Sequence, residues 1–162
     1  MIFGMSTFTF VHVLISLVGI GSGLVVAYGL LTSQRLEAWT ACFLVTTVAT
    51  SVTGFLFPFH GFTPAIGVGI LSMVVLIAAI LALYAFHLAG AWRWVYVGGA
   101  VVALYFNVFV LIVQAFQKIA PLHALAPTQT EPPFVIVQAA ALLFFLALGI
   151  VSIRRFHPPA EV

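Results

Sequence analysis

Five long apolar runs, separated by short turns, organise the chain. Their apolar residues do not alternate with a period of two, so the runs do not read as half-buried strands. They predict helices over 8–31, 38–57, 64–86, 94–116 and 134–153. Each run is about 20 residues or more, the length that crosses a hydrocarbon core about 30 Å thick. In lipid every backbone N–H must be bonded within the protein, which makes helix the expected state. The expected fold is all-α: a single domain, 1–162, forming an integral membrane bundle of five transmembrane helices.

The breaks carry local signals. Pro58 is expected to end the second span at Phe57, since proline lacks a donor and restricts the residue before it. Thr63-Pro64 and Thr130-Glu131-Pro132-Pro133 place a capping hydroxyl and a first-turn proline ahead of the third and fifth spans. Glu131 also falls near the positive end of the fifth helix dipole. The turn between the second and third spans holds His60 between Pro58 and Pro64. The segment 117–133 is too apolar for a solvated loop and too short to span. It is expected to lie along the interface or fold back as a lid. The N-terminal run lacks the basic region of a secretory signal and reads as a retained helix. The tail after Ile153 reads as a basic stop with a short end.

Polar and small residues fall on stripes. His12, Ser16, Gly19, Gly23 and Ala27 recur at steps of three and four, which is one helical face. The Gly19/Gly23/Ala27 groove suits close helix approach, within the bundle, to a second copy or to a membrane-complex subunit. The fourth span carries Gly99, Ala103, Asn107 and Gln114 on one face. The fifth carries Gln138, Phe145, Gly149 and Ser152, and the second offers Thr46, Thr50, Thr53 and Gly54. Polar groups in lipid turn inward, because an unpaired one costs up to several kcal/mol. Most of these residues belong to one end of the bundle, so that end is expected to be polar and the other dry.

Composition excludes a soluble domain. Of 162 residues 64% are hydrophobic and 5% charged, against about a quarter charged in soluble chains. The bilayer is the expected partner, and nothing points to nucleic acid. Charge also orients the bundle. Arg35, Arg93, Arg154 and Arg155 fall on one side of five passes, and Lys118 alone on the other. The excess predicts an outside N-terminus and a cytoplasmic C-terminus. Trp39, Trp92 and Trp94 gather at the arginine-marked interface, where amphipathic rings prefer to sit.

The residues that could carry chemistry are few. Cys42, the single cysteine, leaves no disulfide, CxxC pair or cysteine zinc site. There is no Asp, and no Glu lies inside a span, so no carboxylate acid–base pair is expected. Ser16 lies one turn from His12, but no third group orients the pair. Gly19-Ile20-Gly21-Ser22-Gly23 matches a dinucleotide motif in letters only, since no strand precedes it. The reading is of a protein that is not an enzyme, with no cofactor. Its candidate outer pocket is lined by His12, Ser16, Asn107, Gln114 and Gln138, with His60 at the rim. Apolar clefts between helices with a few placed polar groups are the usual small-molecule sites. The alternative is a membrane electron-transfer protein with a b-type haem or a quinone held through His12, His60 and His123, although no HxxxH pairing supports it.

Two segments carry a resemblance: 53–69, around Thr53-Gly54-Phe55-Leu56-Phe57-Pro58-Phe59-His60-Gly61-Phe62-Thr63-Pro64, and 122–134, around Leu122-His123-Ala124-Leu125-Ala126-Pro127. The chain resembles small multi-pass membrane proteins predicted from bacterial genomes and uncharacterised. The resemblance implies the bacterial cytoplasmic (inner) membrane and assigns no activity, ligand or site residue. The leading expectation is a non-catalytic accessory or small-molecule- or lipid-binding protein with an outward-facing polar pocket.

Overall fold

The structure, a computed structural model, describes residues 6–58 and 64–158. It is helical, with no strand among the described residues. The elements are α1 (Thr7–Thr32), α2 (Glu37–Phe55), α3 (Pro64–Ile80), α4 (Trp92–Lys118), α5 (Ala120–Leu125) and α6 (Pro132–Arg155), with a π-helical turn (Leu81–Ala85) closing α3. Among the described residues five helices are long and apolar enough to cross a membrane.

Local chemistry sets the ends. Ser6 caps α1, its Oγ accepting from the Thr9 amide at 3.1 Å. The C-terminus of α1 closes with Ser33 in the left-handed region (φ 59°) and the Gln34 amide on the Gly29 carbonyl at 2.8 Å. Such a closure satisfies carbonyls that the helix end leaves open. A Cβ on Gly29 would sit 2.9 Å from the Gln34 carbonyl oxygen, so the returning chain requires glycine there.

Three boundaries depart from expectation. α2 ends at Phe55 rather than Phe57, with the Leu56 amide turning back to the Thr53 carbonyl at 3.1 Å. Pro58 bars the residue before it from the helix, and the last turn tightens ahead of the block. The third span was expected to stay α-helical through Phe86. Instead it widens into the π turn, with the Phe86 amide on the Leu81 carbonyl at 2.9 Å. His87 and Leu88 then take positive φ (47° and 59°), and Phe86 stacks on Trp92 at 3.9 Å. Finally, the N-cap of α6 is Glu131, not Thr130. Its carboxylate accepts from the Thr128 amide and hydroxyl (3.1 and 2.9 Å) and the Thr130 amide (3.1 Å). The Thr63 cap expected for α3 lies outside the described residues.

α4 is the central helix, touching α1, α3, α5 and α6. Packing is tightest toward the arginine end, where Val26, Ala27, Leu30, Phe43, Tyr96, Val97 and Leu104 are all buried. The stripe expected on α1 is an internal seam. A Cβ on Gly23 would meet Leu104 Cδ1 at 2.6 Å and Phe43 at 2.9 Å, so α2 and α4 fill the groove within the chain. The outer surface is apolar, with Val45, Leu143 and Ile136 at least 65% exposed. On a chain with five spanning-length helices, that surface suits lipid tails.

The C-terminal tail is more than a basic stop. Phe156 is 1% exposed and its ring centroid lies 5.9 Å from that of Tyr96. The His157 amide donates to Ser33 Oγ at 2.7 Å. The end of α6 is therefore latched to the α1–α2 turn. Arg35, Arg93, Arg154 and Arg155 share this end of the bundle, and Lys118 ends α4 at the other.

Candidate functional site at the lysine-marked end

The polar stripes form two levels. The deeper one is at mid-bundle. Asn107 lies 11 residues before the end of α4, about 16 Å along the axis at about 1.5 Å per residue. Its Nδ2 donates to Thr47 Oγ1 of α2 at 3.1 Å. Thr47 is fully buried. A Cβ on Gly19 would lie 3.2 Å from Thr46 Oγ1, 3.4 Å from Thr47 Oγ1 and 3.6 Å from Asn107 Nδ2. Glycine at 19 thus lets α1 close against this amide–hydroxyl pair.

The second level is nearer the end. His12 Nδ1 lies 2.7 Å from Thr53 Oγ1. The half-buried imidazole meets the Phe57 ring edge-on at 5.0 Å, and Phe57 packs on Phe8 at 4.9 Å. Gly54 packs beside the ring, where a Cβ would be in ordinary contact with His12 Cε1 at 3.7 Å. On α6, Gln138 Nε2 donates across to the Phe109 carbonyl of α4 at 3.2 Å. Gln138 Oε1 and Gln114 Oε1 are both buried and both lack a donor among the described residues. Thr50 Oγ1 is likewise buried and unpartnered.

The loop after α5 clasps α4 from outside. Gln129, at φ 60°, donates through Nε2 to the Val113 carbonyl at 2.9 Å and accepts from Gln117 Nε2 at 3.4 Å. α5 itself buries no residue, and His123 on it is exposed.

The expected site residues therefore separate by role. Asn107 and Gln138 each tie α4 to a neighbouring helix, and His12 ties α1 to α2. Ser16 turns inward on its own helix, its hydroxyl donating to the His12 carbonyl at 2.8 Å, a bond serines often make to the preceding turn. Gln114 keeps a buried open acceptor. His60, expected at the rim and as a haem ligand, lies outside the described residues. Among the described residues no three His, Cys, Asp or Glu side chains group as metal ligands would. Sequence reasoning missed Thr47 and Gln129. The first was legible, because Thr40, Leu44, Thr47 and Ser51 recur at helical spacing and all are buried. The second carried no signal, since its partner is a backbone carbonyl.

Outside the spans, Glu131 is a titratable group whose surroundings set it clearly apart. Loss of hydration, the largest single influence, works to raise its pKa. Its own amide and the donors of Thr128 and Thr130 together outweigh that and hold the carboxyl below its ordinary value. A folded-state value below the unfolded one stabilises the fold above the ordinary carboxyl range and is lost as pH falls through the folded value. Acidification below the ordinary carboxyl range should therefore lower the protection of the Thr128 and Thr130 amides relative to their intrinsic exchange rates at each pH. Glu131→Gln should show fast exchange there already at neutral pH. Equal protection in both proteins would rule out the carboxylate as the acceptor that holds these two amides.

Comparison with family models, curated proteins and solved structures gives no match. The functional reading rests on the residues themselves.

Proposed function

We propose that the chain is a non-catalytic protein of the bacterial inner membrane that binds a small amphiphile or lipid in the polar half of its bundle. The supporting observation is the pair of buried amide oxygens, Gln114 Oε1 and Gln138 Oε1, each without a donor. A buried acceptor left unpaired costs about 1–3 kcal/mol. Native interiors retain such groups where water, an ion or a ligand completes them. Small-molecule sites between helices are usually apolar with a few placed polar groups such as these amides. Among the described residues no hydrogen bond joins either amide to a carboxylate or a nucleophile, which favours binding over catalysis. The arginine excess supports a cytoplasmic arginine end, with this end outside.

The test is native mass spectrometry of the protein extracted in mild detergent from its own membranes. A bound small molecule or lipid is expected on the natural protein. It should be depleted in Gln114→Leu/Gln138→Leu, with helicity and melting behaviour checked on the same sample. A natural protein that carries nothing, or a folded double variant that keeps its ligand in full, would refute the reading.

A further inference from the structure

We infer that His12 serves as a hydrogen-bond acceptor for a hydroxyl-bearing amphiphile, with Thr53 as the positioning residue that keeps the ring proton on Nδ1. The inference rests on the ligand-binding reading above and narrows the ligand's chemistry.

It follows from counting protons. The Thr53 hydroxyl has one. Its oxygen lies 2.6 Å from the Ala49 carbonyl oxygen. Two oxygens approach that closely with a proton between them, so the hydroxyl donates to Ala49. Thr53 Oγ1 is then an acceptor toward His12, and the 2.7 Å contact to Nδ1 requires the hydrogen to be on Nδ1. In a neutral imidazole one nitrogen donates and the other accepts. The lone pair is therefore on Nε2, which forms no hydrogen bond among the described residues. A hydrogen bond at one ring nitrogen commonly sets the role of the other in this way.

The same counting applies on α6. Gln138 spends Nε2 on the Phe109 carbonyl, so the unpartnered atom is an oxygen. His12 and Gln138 each come early in helices that start from the same end of the bundle, so two open acceptors lie at similar depth. An amphiphile with only acceptors, such as an oxidised quinone or an ether lipid, would leave both unpaired. One with O–H donors would pair the acceptor it reaches. Reduced quinol rings and glycerol headgroups share that chemistry.

Two measurements test this on the full-length protein in lipid nanodiscs. The first is the nitrogen NMR spectrum of isotope-labelled histidine at about pH 8.5, above the ordinary imidazole range, with His12 assigned by its loss in His12→Gln. Nδ1 should carry the proton in the natural protein. In Thr53→Val the ring should shift toward the Nε2–H form that free imidazole prefers. An Nε2–H ring in the natural protein overturns the inference while leaving the ligand-binding reading intact. The second compares binding of an alkyl hydroquinone and of a monoacylglycerol, each against its O-methylated counterpart. A preference of about tenfold for the free hydroxyl, lost in His12→Ala, is expected for at least one pair. The pair that discriminates identifies the source of the hydroxyl. Equal binding within both pairs overturns the inference alone. Failure of all four probes to bind overturns the inference, and the reading on which it rests is decided separately by the native mass spectrometry above.

Discussion

Gly23→Ala should destabilise the bundle by about 1–3 kcal/mol, the usual cost of forcing extra volume into a packed interior. Gly21→Ala, two positions away on the same helix, should be neutral or mildly stabilising. The difference lies in what the new methyl meets. At position 23 it would come 2.6 Å from Leu104 Cδ1 and 2.9 Å from two atoms of the Phe43 ring. Phe43 and Leu104 are each about 1% exposed, so neither has space to retreat. At position 21 nothing lies within 4 Å, and alanine gains about 0.5–1 kcal/mol over glycine inside a helix. Thermal unfolding in detergent measures both, and Gly23→Leu should prevent folding altogether. Equal behaviour of the two alanine variants would show that the α1 seam is not the close contact described. The pair also tests the stripe's role. A groove filled by α2 and α4 of the same chain loses stability when blocked, whereas a groove waiting for another protein would lose only association.

The second large effect is expected at the tail. Phe156→Ala should cost about 3–5 kcal/mol, the range for truncating a buried phenylalanine. Phe144→Ala, on the lipid-facing side of α6 with Phe144 57% exposed, should cost far less. Phe156 packs into the core beside Tyr96, whose hydroxyl is 3.5 Å from Thr40 Oγ1. The next residue bonds Ser33. Losing the ring should therefore loosen α6 from the α1–α2 turn as well as leave a void. Unfolding by denaturant, with amide exchange at His157 as the local readout, checks both parts. An unchanged midpoint with His157 still protected would exclude the latch.

The helices and their faces were legible because the bilayer demands so much of a sequence. Each crossing needs a long apolar run, and each polar side chain inside it must turn toward protein. His12, Asn107, Gln114 and Gln138 stood out for that reason, and all four meet neighbouring helices or are buried against them. Helix ends were less legible. Thr130 has the letters of a cap, yet Glu131 takes the position because its carboxylate gathers three donors at once. The π turn and the left-handed His87 and Leu88 left no mark in the sequence, since they arise where α3 must hand over to α4 around the Phe86–Trp92 stack.

The sequence alone determined that this chain is a bundle of five spanning-length helices with its arginines at one end and its amides toward the other. Those properties depend on run length, periodicity and charge count, which are written residue by residue. Tertiary structure alone decided the partners. It paired His12 with Thr53 and Asn107 with Thr47, turned Ser16 back on its own helix, buried Phe156 and left the Gln114 and Gln138 oxygens open. The reason is that a stripe shows only which way a side chain faces. Whether it meets a donor, an acceptor or a methyl group depends on the rotation and height of a second helix, and the separate stripes leave these undetermined.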